Sequence, residues 1–264
     1  MKRNNFSCLS ILVMAALCLS FTSCGDDDES VKPTPEATQD KPTPEATQDN
    51  TSEADGLVAV DLGLPSGTKW ANMNVGAEKP EDYGLYFSWG ETESYNSNII
   101  WINSNYGRMY DAWVNYELCS GSGVSLTKYN IFLKYGQVDN KLELDLEDDA
   151  AFKILGNEWR MPSKAQIQEL LNSSYTTNEL ITKNGVKGHL ITSKTNGKSI
   201  FIPMGGSYSE GSLSVGDIGV DGGFWSRTLS LDDTRYAYGI TLRHNTLLIT
   251  SRPSGLNIRA IKRS

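Results

Sequence analysis

The sequence predicts an α+β domain, built from short antiparallel strands and two helices, that follows an N-terminal tether without ordered structure. Short apolar runs rich in β-branched and aromatic residues recur from residue 57 onward, and turn residues separate them. Two segments, at 146–155 and 163–172, carry helix-capping signals. Residues 24–55 contain no aromatic and few aliphatic side chains, so they bury too little apolar surface to offset the entropy of ordering.

Residue composition and the alternation of side chains along the chain predict the strands. In chain order they are Leu57–Leu62, Tyr83–Trp89, His189–Ser193, Ile200–Pro203, Arg235–Arg243, Leu247–Thr250 and Leu256–Ile261. The pair Asn196-Gly197 tolerates the positive φ of a tight turn, which predicts a hairpin between the third and fourth strands. Strict alternation in the fifth strand, the period of a half-buried strand, predicts that one face is formed by Tyr236, Tyr238, Ile240 and Leu242.

Capping residues predict the two helices. Leu146–Leu155 has carboxylates in its first turn, where the helix dipole favours them, and Gly156 follows as a C-cap. Ser163 and Gln166 form a capping box that opens a helix over Lys164–Asn172.

Acidic residues near the first helix suggest a calcium site as an alternative. They are Glu143, Asp145, Glu147, Asp148 and Asp149. Because the spacing lacks the loop glycine of an EF-hand, and because dipole capping explains most of these charges, we expect no metal ligand set here. Two carboxylate pairs, Glu91 with Glu93 and Asp232 with Asp233, leave open a hydrolase with paired acids.

The N-terminus predicts a lipoprotein signal peptide at residues 1–23. Lys2 and Arg3 precede the thirteen-residue apolar run Leu9–Phe21, which is too short to span a bilayer. Phe21–Cys24 resembles a bacterial lipobox, in which Cys24 is acylated and becomes the first mature residue. The alternative is an ordinary signal peptide that happens to end at a cysteine. If the lipobox is real, acyl chains anchor the mature protein in a membrane.

Residues 24–55 are predicted to be an acidic tether. The acidic run Gly25–Ser30 resembles the signal that sends Bacteroidetes-type lipoproteins to the outer face of the outer membrane, although a solvated acidic tail is the alternative. A nine-residue sequence then occurs twice in tandem, at Lys32–Asp40 and Lys41–Asp49. Its prolines favour an extended spacer that lifts residues 56–264 off the membrane.

Charge and cysteine content exclude several functions. The tether has a net charge of −8, and residues 56–264 have a net charge of only −2. The sequence therefore contains no stripe of basic residues that could bind the phosphates of a nucleic acid. Beyond Cys24 the only cysteine is Cys119, so neither an internal disulfide nor a cysteine zinc site is possible. His189 and His244 lack metal-ligand spacing. We therefore expect no cofactor and no catalytic residue.

Ordered sequence blocks resemble the major paralogous domain family first named from Fibrobacter succinogenes. The early blocks are Val60–Ala71, Asn74–Ala77, Pro80–Gly84 and Phe87–Thr92, and the later ones are Leu126–Asn130, Asp148–Ala151, Trp159–Ser163, Gly223–Ser226 and Asn257–Arg259. The resemblance covers nearly all of residues 57–264. It implies a surface or secreted lipoprotein of gut or rumen bacteria with a C-type-lectin-like fold, a compact α+β unit with two helices and twisted antiparallel sheets.

Departures from related families restrict what the resemblance implies. Trp159–Ser163 is also similar to a block of the formylglycine-generating enzymes, but these depend on two cysteines and this domain has one. The Glu-Pro-Asn, Gln-Pro-Asp and Trp-Asn-Asp motifs of calcium-dependent lectins do not occur in the sequence. We therefore interpret Trp159 and Trp225 as core residues rather than sugar platforms, and expect Arg160 to anchor a buried carboxylate or carbonyl groups.

A weaker resemblance points to a ligand face. Variable ligand-binding proteins diversified by retroelements use the C-terminal strands and loops of a C-type-lectin-like domain, which correspond to Gly222–Arg259. The candidate ligand residues there are Trp225, Arg227, Arg243, His244, Asn245 and Arg252. Of these, Arg227, Arg243, Asn245 and Arg252 are expected to be exposed. The alternative is that half of the polar and aromatic side chains in this stretch fill the core.

The function that these features predict is a non-catalytic binding or adhesion module. It is anchored by lipid on the outer membrane, exposed on the cell surface, and recognises a glycan or a protein. The alternative is a structural component of the cell envelope or of a surface assembly.

Overall fold

The structure is a computed structural model that describes residues 56–95, 113–209, 212–213 and 217–262. These residues belong to one structural unit, which spans residues 50–264. The predicted signal peptide, Cys24 and the tether lie outside the described residues. Among the described residues, no helix has the length and apolar character needed to cross a membrane.

The described ranges contain twelve strands and two α-helices. The strands are β1 (Ala59–Asp61), β2 (Lys69–Ala71), β3 (Trp159–Arg160), β4 (Thr176–Lys183), β5 (Val186–Ser193), β6 (Ser199–Pro203), β7 (Tyr208–Ser209), β8 (Ser212–Leu213), β9 (Trp225–Leu229), β10 (Tyr236–Thr241), β11 (Thr246–Ser251) and β12 (Ile261–Lys262). The helices are α1 (Ala150–Leu155) and α2 (Lys164–Leu170), with short 3₁₀ helices at Leu133–Tyr135 and Leu146–Asp148.

Four antiparallel sheets organise these strands. One has the order β1-β2-β12-β3, so its β12 strand brings the C-terminal end of the domain between β2 and β3. Two others are three-stranded, with orders β11-β10-β9 and β4-β5-β6, and β7 pairs with β8. The predicted α+β class, with two helices and short antiparallel sheets, is therefore confirmed at this level.

The predicted hairpin is confirmed, and two strand predictions are wrong. Of the predicted strand Leu256–Ile261, only Ile261 lies in a strand, β12, while Leu256 and Asn257 make isolated bridges. β5 pairs with β6 around a turn in which Gly197 has φ of 72°, and β10 pairs with β11. Tyr83–Trp89 forms no strand; it makes a single antiparallel bridge, between Phe87 and Leu256. Gly84 and Gly90, with φ of 75° and 83°, interrupt the extended backbone there.

The predicted face of β10 is only partly right. Ile240 and Leu242 are buried as expected, but Tyr236 and Tyr238 are half-buried while Ala237 and Gly239 are fully buried between them. A Cβ atom on Gly239 would lie 2.8 Å from the carbonyl oxygen of Phe224, so the backbone itself packs closely against its neighbour. This approach leaves no room for large side chains on that face.

The first predicted helix divides in two at Asp149. Leu146–Asp148 is 3₁₀, and α1 starts after Asp149, whose extended backbone and carboxylate cap the helix at the Phe152 N–H. Gly156 ends α1 at φ of 88°. The second helix has the predicted capping box of Ser163 and Gln166, but it ends at Leu170.

The core contains two large clusters. One packs Phe87, Trp89 and Trp225 with residues of α1, and the other packs Trp70 and α2 against β5, β6 and β10. A third, smaller cluster lies under the loops of residues 113–135 and includes Trp113, Tyr116, Leu126 and Tyr135. Two arginines, Arg252 and Arg259, are fully buried.

Candidate ligand-binding surface

Trp225 belongs to the core, so its place in the predicted ligand face is wrong. Its side chain is fully buried, and the indole N–H donates to the Phe87 carbonyl at 2.7 Å. Trp159 is also buried, as the interpretation of both tryptophans as core residues expected. Because β9 is flanked by β10 on one edge and Trp225 points into the first cluster, no solvent reaches the indole.

The prediction that Arg252 is exposed is also wrong. Its guanidinium donates to the hydroxyl of Tyr116 at 2.8 Å and to the carbonyl groups of Tyr129, Thr234 and Lys128 at 3.1–3.2 Å. It also stacks 5.0 Å from the centroid of the Trp89 ring. Arg252 therefore ties three loops together from inside the domain.

Arg227 is largely buried, contrary to the prediction, with 13% of its side chain exposed. Its Nε donates to Glu143 at 2.8 Å, and its Nη1 donates to the Met161 carbonyl at 2.9 Å and to Gln166 at 3.1 Å. The Arg227 guanidinium therefore joins β9 to the start of α2. Its hydrogen bonds hold the domain together, which leaves little of the side chain for a ligand.

The remaining three predicted residues lie together on the turn between β10 and β11. Arg243 and His244 are exposed, and Asn245 is half-buried in the left-handed conformation, with φ of 47°. The Asn245 N–H donates to the carbonyl of Leu242 at 3.3 Å and closes the turn. Asparagine tolerates this conformation better than most residues, which explains its position.

Hydrogen bonds to one carboxylate hold the base of this turn in place. The Asp221 carboxylate accepts from the backbone N–H groups of Gly222 at 2.7 Å and Arg243 at 3.0 Å, and from the Thr241 hydroxyl at 2.9 Å. Leu242 is fully buried beneath the turn. The turn is therefore a rigid support for two exposed side chains.

Neighbouring residues extend this area. The Asp217 carboxylate lies 3.9 Å from the Arg243 guanidinium, and Val220, between Asp217 and Asp221, is 46% exposed. We call the exposed side chains of Asp217, Val220, Arg243 and His244 the turn surface. It combines a cation, an anion, an imidazole and an apolar contact, which suits hydrogen-bonded recognition of a polar ligand.

His189 lies behind the turn surface. Its Nδ1 is 2.5 Å from the side-chain oxygen of Asn178, and the ring also interacts with the carbonyl of Leu242. Burial lowers the pKa of His189 below its ordinary value. The imidazole therefore links the β4–β5 sheet to the turn, which is a structural role.

A second cluster, in which charged side chains surround the buried ring of Tyr135, was not predicted. Lys134 and Arg235 lie 4.6 Å and 4.5 Å from the centroid of the Tyr135 ring, whose hydroxyl donates to Asp233 at 3.0 Å. Next to it, Leu133 is 85% exposed. The aromatic and aliphatic residues between Tyr129 and Tyr135 were the sequence signal that could have indicated this cluster.

The acidic residues near α1 form an ion-pair network around a lysine. Carboxylate oxygens of Asp145, Glu147 and Asp148 lie within 4.8 Å of one another. The Lys128 ammonium lies 3.7 Å from Asp145 and 2.5 Å from Glu147, and it also bonds Asp148. The hydrogen bond from Lys128 lowers the pKa of Glu147. This ammonium supplies the positive charge that the calcium alternative would assign to a metal.

Asp149, the fifth of these acids, has a separate role in the core. Its carboxylate accepts from the backbone N–H of Met161 at 2.9 Å and lies 3.7 Å from the Arg160 Nε. Arg160 also donates to the Leu144 carbonyl at 3.0 Å, so it anchors a buried carboxylate and a carbonyl, as predicted. Burial raises the pKa of Asp149.

In each of the two predicted carboxylate pairs, one member is held by hydrogen bonds and the other is exposed. Glu91 accepts from the Glu117 N–H at 2.8 Å, and burial raises its pKa. Asp233 binds Arg235 and Tyr135. Glu93 and Asp232, the other members of the two pairs, are exposed.

Cys119 is a free thiol that donates to the Trp113 carbonyl at 3.0 Å.

Comparisons with protein families, with curated proteins and with solved structures found no match to this chain.

Proposed function

We propose that this protein is a surface-anchored, non-catalytic binding module that recognises a glycan or a protein through the turn surface. The single observation that carries the proposal is the rigid β10–β11 turn, on which Arg243 and His244 are exposed above a hydrogen-bonded base. A support that is ordered before binding reduces the entropy lost when a ligand is bound.

The other polar groups of the domain support a non-catalytic role. Catalytic acids and bases need to reach a substrate, whereas Asp149, Glu91, Arg227 and Arg252 hold the described fold together through backbone and side-chain hydrogen bonds. The chemistry offered to solvent by the turn surface is hydrogen bonding and charge, which is the chemistry of recognition.

The proposal includes a lipid anchor at Cys24, an extended tether and a head with a C-type-lectin-like fold of the major paralogous domain family. The lipobox-like sequence and the proline-containing tandem repeat support the first two parts. The order of the sequence blocks, together with two α-helices and short antiparallel sheets in the described residues, supports the third. Several copies on one outer membrane would bind with avidity even if each contact were weak.

Binding by the full chain in mild detergent tests this function. The protein would be applied to a glycan array and used in pulldowns from host-cell surface extracts. Any ligand found is expected to lose affinity by about tenfold or more when Arg243 and His244 are both replaced by alanine. A combined loss of about 1.4 kcal/mol corresponds to tenfold, and arginine is enriched among the residues that contribute most at interfaces. Lys153→Ala, which removes an exposed cation of α1, is the matched control.

The outcomes separate the alternatives. Equal binding by the double variant and the control would show that the turn surface is not the binding site. Absence of any ligand, together with cross-linking in intact cells to one dominant bacterial protein, would favour a structural role in the envelope. Labelled palmitate that fails to incorporate into the native chain, but does so in a known lipoprotein, would contradict the anchor.

A further inference from the structure

β4 has the longest open strand edge in the described part of the chain. It is an edge strand of the sheet β4-β5-β6, and it pairs with β5 over eight residues without a bulge. None of the described residues pairs with its outer edge. Four side chains of this strand are exposed: Thr177, Glu179, Leu180 and Thr182.

The pairing with β5 shows which backbone groups point outward. Lys194 N–H donates to the Tyr175 carbonyl at 2.8 Å, so Tyr175 and every second residue after it direct their backbone groups toward β5. Asn178, Leu180 and Thr182 therefore direct their N–H and C=O groups away from the sheet. These backbone groups form a template on which another strand can add.

The strand has few of the features that protect natural edges. It contains no proline and no bulge, and its only charges are Glu179 in the middle and Lys183 at the end. Lys183 is turned toward Glu81, with its ammonium 3.0 Å from that carboxylate. Leu180, which is 53% exposed, lies at the centre of the edge. A long edge of this kind is a site for pairing with another chain.

The sequence of β4 is complementary to itself in one register. A twofold axis through Leu180 places the two Leu180 residues opposite each other, and each Asn178 opposite a Thr182. In this register every outward backbone group meets another outward group. The side-chain pairs are apolar with apolar and amide with hydroxyl, and Glu179 faces Ile181 rather than another carboxylate.

The two neighbouring registers with a twofold axis place residues opposite each other less favourably. An axis through Glu179 would place two carboxylates opposite each other, which is destabilising. An axis through Ile181 would leave Asn178 paired with Asn184, which lies beyond the end of the strand. We propose that two copies of this chain associate through antiparallel pairing of their β4 strands, centred on Leu180.

This dimer would be weak in solution. Two paired strands bury less than the roughly 1,200 Å² of a stable interface, so association depends on a high local concentration. A membrane anchor would supply that concentration, and each dimer would present two turn surfaces. That consequence, but not the strand pairing itself, rests on the proposed function.

Cysteine cross-linking of the full chain tests the register. On a Cys119→Ser background, Leu180→Cys places the two introduced thiols on Cα atoms about 5.5 Å apart, which is within disulfide range. Thr177→Cys is the matched control on the same exposed strand, and its two copies would be roughly 20 Å apart. Mild oxidation is expected to give a covalent dimer with Leu180→Cys, and only the background level with Thr177→Cys.

A proline variant tests the pairing without cysteine. Leu180→Pro removes an outward N–H and keeps the hydrogen bonds to β5, so the folded monomer is retained while self-association is lost. Sedimentation of the concentrated full chain in detergent measures the dimer, and the unfolding midpoint verifies the fold. Equal cross-linking at both cysteine positions, no cross-linking at either, or a proline variant that dimerises like the native chain would overturn the proposal. If another segment or a different protein covers the β4 edge, the chain stays monomeric and neither cysteine variant cross-links.

Discussion

Replacing Arg252 by methionine is expected to destabilise the domain strongly. The guanidinium is fully buried and donates to three backbone carbonyl groups and to the hydroxyl of Tyr116. Methionine fills a similar volume but donates no hydrogen bond, so these acceptors lose their donor inside the core. The contact with the Trp89 ring keeps its apolar part and loses its cation.

The magnitude follows from the acceptors that remain. Each buried polar group left without a partner costs about 1–3 kcal/mol, and removing one member of a buried charged network costs about 3–5 kcal/mol. Replacing the arginine also removes the free-energy cost of burying its positive charge, and this gain offsets part of the sum. We therefore expect a net loss of about 3–5 kcal/mol in the free energy of unfolding. That is a large fraction of the roughly 5–15 kcal/mol that stabilises a typical domain.

Urea unfolding of the full chain, followed by tryptophan fluorescence, measures this loss. With a slope of about 2.5 kcal/mol per molar urea, the midpoint is expected to fall by about 1.5 M. Arg243→Met, at the exposed turn, is the control and is expected to change stability by less than about 0.5 kcal/mol. A loss below about 1 kcal/mol for Arg252→Met would refute the reasoning, because the carbonyl groups would then have found other donors.

Three further perturbations test other contacts by the same unfolding assay. Asp149→Ala removes the cap of α1 and the acceptor of the Met161 N–H, and is expected to cost about 2–4 kcal/mol, against a negligible effect for the exposed Asp232→Ala. Gly223→Ala would place a Cβ 1.9 Å from the Ile240 carbonyl and should cost more than about 2 kcal/mol, whereas Gly197→Ala, which meets no atom within 4 Å, should cost about 1 kcal/mol through its positive φ. Because burial lowers the pKa of His189, the unfolded chain binds protons more readily, and stability should fall as the pH drops below about 6.5. His189→Gln should reduce this dependence, and Thr182→Gln, at an exposed residue that does not titrate, should not.

Each of these expectations has a clear contrary result. Equal losses for Asp149→Ala and Asp232→Ala would show that the buried carboxylate is not a significant cap. A native-like midpoint for Gly223→Ala would mean that β10 shifts to admit the methyl group. Parallel pH profiles for His189→Gln and Thr182→Gln would show that the burial of His189 has no effect on the protonation of the folded state.

Local sequence signals predicted the elements whose structure depends on local chemistry. The capping box of Ser163 and Gln166 forms within a few residues, so it could be recognised from the sequence. The turn at Asn196-Gly197 is equally local, and the hairpin that it predicted is present. In both places the residue types restrict the backbone whatever surrounds them.

Tyr83–Trp89 shows where local signals fail. Its aromatic composition indicates a strand, but Phe87 and Trp89 are instead held by bonds from distant parts of the chain. The Trp89 indole donates to the Ser226 carbonyl at 2.8 Å, and the Phe87 carbonyl accepts from Trp225. Tertiary packing therefore overrides β-propensity here.

The ligand face shows the same limit for side chains. From sequence, Arg227, Arg243 and Arg252 are equivalent cations in a C-terminal stretch of strands and loops. Their exposure differs because only Arg243 lies on a turn whose backbone requirements are met by Asp221. Arg227 donates to a carbonyl group 66 residues away in sequence and Arg252 to one 123 residues away, which no local pattern reports.

The buried arginines explain how a domain with so little regular structure holds its loops in place. Arg259 donates to the Ala71 and Phe201 carbonyl groups at 3.1 Å and 2.8 Å, and to Asn74 at 2.9 Å, and burial lowers its pKa to about 9, so it stays charged at neutral pH. Loop carbonyls cannot all be paired by strands, and a fixed guanidinium supplies several donors at one point. Arg243 differs from Arg227, Arg252 and Arg259 in that its side chain is exposed on a hydrogen-bonded turn, which is the reason to seek a ligand there.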